Sequence, residues 1–182
     1  MRARWGLKPS FLQICMAVFF CGAIVSAHAD KWTAHIGSMT ISAWRTADLE
    51  SAKQEAAREH KPIAWVASSP EDLDGGRITS NGSRGATLHA LYALHNQTVL
   101  VFEDGFAENH KVMQMVDDAI HSTNGQPNHH PTLPVVVFLN PAATEVIAKV
   151  EFEPDYVKRA HLLADALKQA KVKMDGGAFG TQ

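Results

Sequence analysis

Three short apolar runs stand out along residues 30–182: Pro-Ile-Ala-Trp-Val-Ala at 62–67, Thr-Val-Leu-Val-Phe at 98–102 and Val-Val-Val-Phe-Leu at 135–139. Each has the length of a strand, and unbroken hydrophobicity over that length predicts a strand covered on both faces. Residues 145–152 behave differently. There Lys149 and Glu151 alternate with apolar neighbours, so this strand is expected to keep one face wet. Between the strands the period changes to that of a helix. Leu49, Ala52 and Ala56 share a stripe up to His60, with Thr46 or Asp48 as cap and Lys61-Pro62 as stop. Leu88, Leu91 and Tyr92 predict a helix over 86–95. Val112, Met113, Val116, Ala119 and Ile120 mark the inner face of another over 106–121. Pro154 suits a first helical position, and Tyr156, Ala160, Leu163 and Leu167 form the stripe that follows it.

The remaining segments are polar or lack a period. Residues 31–43 fit at most one short strand. Residues 68–85 are rich in Ser, Gly, Asp and Asn and read as a loop, long at eighteen residues for a compact domain. Residues 122–132 form a second polar loop, and 174–182 a Gly-containing tail expected to be flexible. Strands and helices alternate and end in a hairpin and a helix. That order predicts an α/β fold, a central mixed β-sheet flanked by helices on both faces.

The first 29 residues follow different rules. Arg2, Arg4 and Lys8 precede an apolar run over 11–25, which ends in Ser26-Ala27-His28-Ala29. A basic start, an apolar centre and small residues at the end are the marks of a secretory signal peptide, with cleavage expected after Ala29. The apolar run is shorter than the roughly 20 residues that span a bilayer, so no stable membrane anchor is expected after cleavage. The expected destination is periplasmic or secreted. Both cysteines, Cys15 and Cys21, lie in this segment, so residues 30–182 contain none. With the three N-terminal bases gone, fourteen basic side chains face nineteen acidic ones. Such a balance argues against nucleic acid as a partner.

Two stretches resemble the thioredoxin-like family. One is residues 52–67, an Ala/Lys/Glu helix followed by Lys61-Pro62 and a central strand. The other is residues 132–141, Thr-Leu-Pro-Val-Val-Val-Phe-Leu-Asn-Pro, which is similar to the family's cis-proline segment. The resemblance covers about residues 46–171. It implies a thioredoxin-like domain over 46–173, preceded by an N-terminal extension at 30–45 and followed by the tail. It also implies a cis Leu133–Pro134 bond beside the loop after the central strand.

The departure from the family is chemical. Where the family carries Cys-x-x-Cys, this chain has Ser68-Ser69-Pro70-Glu71-Asp72-Leu73. Thiol–disulfide exchange runs through a mixed disulfide, which a serine hydroxyl cannot form. Residues 30–182 are therefore expected to be redox-inactive. The resemblance leaves a protein- or peptide-binding surface made of Ser68, Ser69, Pro70, Glu71, Asp72, Leu133 and Pro134, bordered by acidic Asp74 and suited to a basic partner. Two other readings come from the residues. His129 and His130 could hold copper or zinc, although no metal-ligand spacing accompanies them. Ser68 or Ser69 with one of those histidines could serve a hydrolase, although no Gly-x-Ser-x-Gly elbow is present. No cofactor and no catalytic residue is expected on the first reading.

Overall fold

The computed structural model describes residues 31–36, 39–68, 82–104, 114–122 and 132–177. Six strands form one mixed sheet: β1 Trp32–Ile36, β2 Met39–Arg45, β3 Ile63–Ser68, β4 Val99–Asp104, β5 Val135–Leu139 and β6 Val146–Val150. Their spatial order is β1-β2-β4-β3-β5-β6. The three central strands β2, β4 and β3 run parallel, while β5 and β6 are antiparallel to their neighbours, as is β1. The helices are α1 Leu49–Glu59, α2 Ser83–Leu94, α3 Gln114–His121 and α4 Tyr156–Gly177.

Strand alternation divides the core between two faces. Ala64 and Val66 of β3 lie in one cluster with Ala90, Leu91 and Leu94 of α2 and Leu163, Ala166, Leu167 and Ala170 of α4. Ile63, Trp65 and Ala67 lie in the other, with Ala52 and Ala56 of α1 and Val116 and Ile120 of α3. Every residue of β3 and β5 is buried. Double coverage is why these strands read as continuous apolar runs. Each buried Val, Leu or Ile contributes roughly 1.5–3 kcal/mol of transfer free energy.

Several boundaries differ from the sequence expectation, for local reasons. Residues 30–45, read as an extension with at most one strand, hold a hairpin. Its β2 pairs with β4 inside the sheet, and Ile41 and Ala43 enter the core. Residues 46–48 form a 3-10 turn, and Asp48, although at the N-cap position of α1, makes no side-chain capping bond. The helix ends in a left-handed His60 (φ 53°), where the backbone N–H groups of His60 and Lys61 both reach Ala56 O. Strand β4 begins after Thr98 because the Thr98 N–H and hydroxyl both bond Leu94 O and close α2. Strand β6 begins after Glu145 because Asn140 Oδ1 gathers the N–H groups of Thr144 and Glu145 into a turn. Pro154 lies before α4 rather than within it. Asp155 takes the cap, its Oδ1 accepting the Lys158 N–H at 2.7 Å. Residues 174–177, expected in the tail, continue α4. Tyr156 is not in the buried stripe of α4; it is half exposed, and Arg159 is buried in its place. Of the predicted helix 106–121, residues 106–113 lie outside the described residues.

Candidate functional site

The parallel strands β3 and β4 finish together, with Ala67 opposite Glu103 and Ser68 opposite Asp104. On its other side β3 pairs with β5, Ala67 opposite Val135. Continuing that antiparallel register by one step brings Ser68 level with Pro134. Carboxyl ends of parallel strands are where open α/β sheets place their sites. The Leu133–Pro134 peptide is cis. Thr132 is exposed, Leu133 half-buried and Pro134 buried.

Ser68 is not a surface residue. It is fully buried, and its Oγ lies 2.7 Å from Thr87 Oγ1 on α2. Thr87 donates its own hydroxyl proton to Ser83 O at 3.0 Å. A hydroxyl carries one proton, so Ser68 is the donor to Thr87. The two residues tie the end of β3 to the first turn of α2. This placement removes Ser68 from the expected partner surface. It also makes Ser68 a poor nucleophile, since its hydroxyl lies inside and is already engaged. Ser69, Pro70, Glu71, Asp72 and Asp74 lie outside the described residues, as do His129 and His130.

On the opposite face of the sheet the Trp65 indole Nε1 donates to Glu103 Oε2 at 2.6 Å. Trp65 is buried and Glu103 half-buried. Leu133 packs against the same cluster as Trp65. The described part of the site is thus a ledge of Thr132 and Leu133 between two internal hydrogen bonds, Ser68–Thr87 on one side and Trp65–Glu103 on the other. Thr87 and Glu103 were not singled out in the sequence. Glu103 had one weak signal, as the first carboxylate after the apolar run 98–102; Thr87 had none.

Among the described residues, no group of three or more His, Cys, Asp or Glu side chains could hold a metal ion. Among the same residues, no helix is long and apolar enough to cross a membrane. Compared with protein-family models, curated proteins and solved structures, the chain gives no match.

Proposed function

We propose that this chain is a thiol-free thioredoxin-like module that holds a protein or peptide partner at the end of the sheet where β3 stops and β5 starts. We also propose that residues 1–29 direct its export. The observation that carries the first reading is the register that makes Ala67 the partner of Val135, because it joins two segments more than sixty residues apart into one ledge. The strand arrangement supports it. Three parallel strands are followed by a closing antiparallel hairpin, with helices on both faces. This is what the resemblance of residues 52–67 and 132–141 implies. The missing thiols favour binding over exchange chemistry, since no cysteine lies in residues 30–182. An exposed Thr132 beside a half-buried Leu133 lets an extended segment approach the ledge edge-on, as in strand-type recognition.

The experiment is site-directed photocrosslinking. A photoreactive residue at Thr132 should give a defined protein adduct in the exported compartment, and Leu133→Asp should suppress it. The same residue at Val172 is the control. Val172 lies near the far end of α4, where Asp175 comes within 3.8 Å of His60, just ahead of β3. Equal adducts from both positions, or none from Thr132, would remove this surface from consideration.

A further inference from the structure

Arg159 is only 3% exposed, and its guanidinium joins three parts of the fold. Its Nη1 donates to Glu153 O at 2.6 Å and Pro154 O at 3.3 Å, which holds the corner between β6 and α4. Its Nε donates to Nδ1 of His89 on α2 at 3.0 Å, across seventy positions of sequence. The His89 ring lies on Tyr156, with centroids 4.2 Å apart, and the guanidinium stands 5.7 Å from the same Tyr156 ring.

A guanidinium has donors and no acceptor. The Arg159–His89 bond therefore exists only while Nδ1 is bare, which fixes His89 as the neutral tautomer with its proton on Nε2. A proton at Nδ1 would set N–H against N–H at 3.0 Å and cation against cation. Arg159 is buried and held by two carbonyls, so His89 is the group that must give way. We propose that His89 and Arg159 form a proton-sensitive clasp that fastens α2 to the start of α4 near neutral pH and releases it on acidification. The clasp is independent of the partner-binding reading.

The charged neighbours are consistent with this. Burial first, and the Arg159 charge second, hold the His89 pKa below the ordinary histidine value. Burial lowers the Arg159 pKa from its ordinary value, and Tyr156, Glu153 and Asp155, from α4 and its preceding corner, oppose this by favouring the charged form. The Glu153 carboxylate is itself bonded to Lys158 at 2.6 Å and to the Asp155 N–H, and its pKa is lowered, so it titrates well below the histidine range. Strand β3, against which α2 packs, has no ionisable side chain.

The sign follows from linkage. The folded state prefers neutral His89, so this contribution is fully present above the unfolded pKa of about 6.5 and is lost as pH falls from there through the lower folded value. Two measurements test the clasp on residues 30–182. Imidazole nitrogen NMR of the unaltered protein should find Nδ1 unprotonated at pH 7.5 and a His89 midpoint below 6.5. Urea unfolding at pH 7.5 and 5.0 should then compare it with His89→Gln, whose Oε1 accepts from Arg159 without titrating. The folding constant of the unaltered protein should fall further than the variant's, by up to about tenfold for each unit that the midpoint lies below 6.5. A protonated Nδ1 at pH 7.5, a midpoint at or above 6.5, or parallel losses in the two proteins would overturn the proposal.

Discussion

The hydroxyl oxygens of Ser68 and Thr87 lie 2.7 Å apart, and both residues are fully buried. A residue at the end of a central strand is thereby turned inward to anchor a helix. Removing one hydroxyl takes a hydrogen bond from the other in a low-dielectric interior. Ser68→Ala should therefore cost about 1–2 kcal/mol. Adding Thr87→Val removes the hydroxyl that has lost its donor and replaces it with a methyl of similar shape. The double variant should lose less than the sum of the two single losses, by about 1 kcal/mol. Urea denaturation of the four proteins measures this directly, and strict additivity would mean that the two hydroxyls do not depend on each other.

Trp65 and Glu103 make the matching bond on the other face, and here the acceptor carries charge. Glu103→Ala strands a buried indole N–H and should cost about 2–3 kcal/mol. Glu103→Gln retains an oxygen that can accept, and should cost less than half as much. The indole N–H resonance of Trp65 reports on the bond itself: it should move strongly in the alanine variant and weakly in the glutamine variant. If the two variants are equally destabilised, the bond is not what holds Trp65.

What could be read in the sequence follows from burial. Residues 63–67 and 135–139 are covered from both sides, so composition alone marks them as strands. In the hairpin 32–45, exposed Thr33, Thr40 and Ser42 alternate with the buried Ile41 and Ala43 and break any continuous signal. Its membership of the sheet depends on Trp44 meeting Val101, a pairing with no sequence signature. The sequence marks Ser68 as a surface residue, because serine after an apolar run usually opens a loop. Its partner, nineteen residues along, lies on a different element. Arg159 escaped for a related reason. A charged residue interrupts the apolar stripe of α4, and only the carbonyls of Glu153 and Pro154 and the imidazole of His89, all set by tertiary structure, make its burial tolerable.

Among the described residues, two other than glycine have left-handed backbone, His60 at φ 53° and Ala143 at φ 52°. That conformation costs an L-residue roughly 1–2 kcal/mol, and glycine avoids it. His60→Gly should stabilise the protein by about 1 kcal/mol, because the His60 side chain is largely exposed and its approach to Asp175 is long, at 3.8 Å. Ala143→Gly should gain less, since Ala143 is 4% exposed and its buried methyl contributes about 0.8 kcal/mol that glycine loses. Thermal unfolding of the two variants gives the order. A larger gain at Ala143 than at His60 would show that backbone conformation is not the controlling factor.

One carboxylate of α1 bonds both the edge hairpin and the residue before it. Glu55, 15% exposed, accepts from Lys31 Nζ at 2.6 and 2.7 Å and from Trp44 Nε1 at 2.6 Å, while the Lys31 ammonium lies 4.9 Å over the Trp44 ring. The two bonds differ in exposure. Lys31 is about one-third exposed, so its attraction is partly screened by solvent, and Lys31→Met should cost no more than about 1 kcal/mol. Glu55→Ala removes both bonds and leaves the Trp44 indole N–H without its acceptor, so about 1–3 kcal/mol should be lost. Salt separates the two parts. Coupling between Lys31→Met and Glu55→Ala in a double-mutant cycle should shrink as ionic strength rises toward 1 M, where the screening length falls to about 3 Å. Coupling between Trp44→Phe and Glu55→Ala should change little, because an indole carries no charge to screen. Hydrogen exchange then asks what the carboxylate holds in place. In Glu55→Ala the amides of β1 and the outer edge of β2 should lose protection, while those of β3 and β5, buried on both faces, keep theirs. If protection falls uniformly across the sheet, Glu55 supports the whole fold rather than its edge.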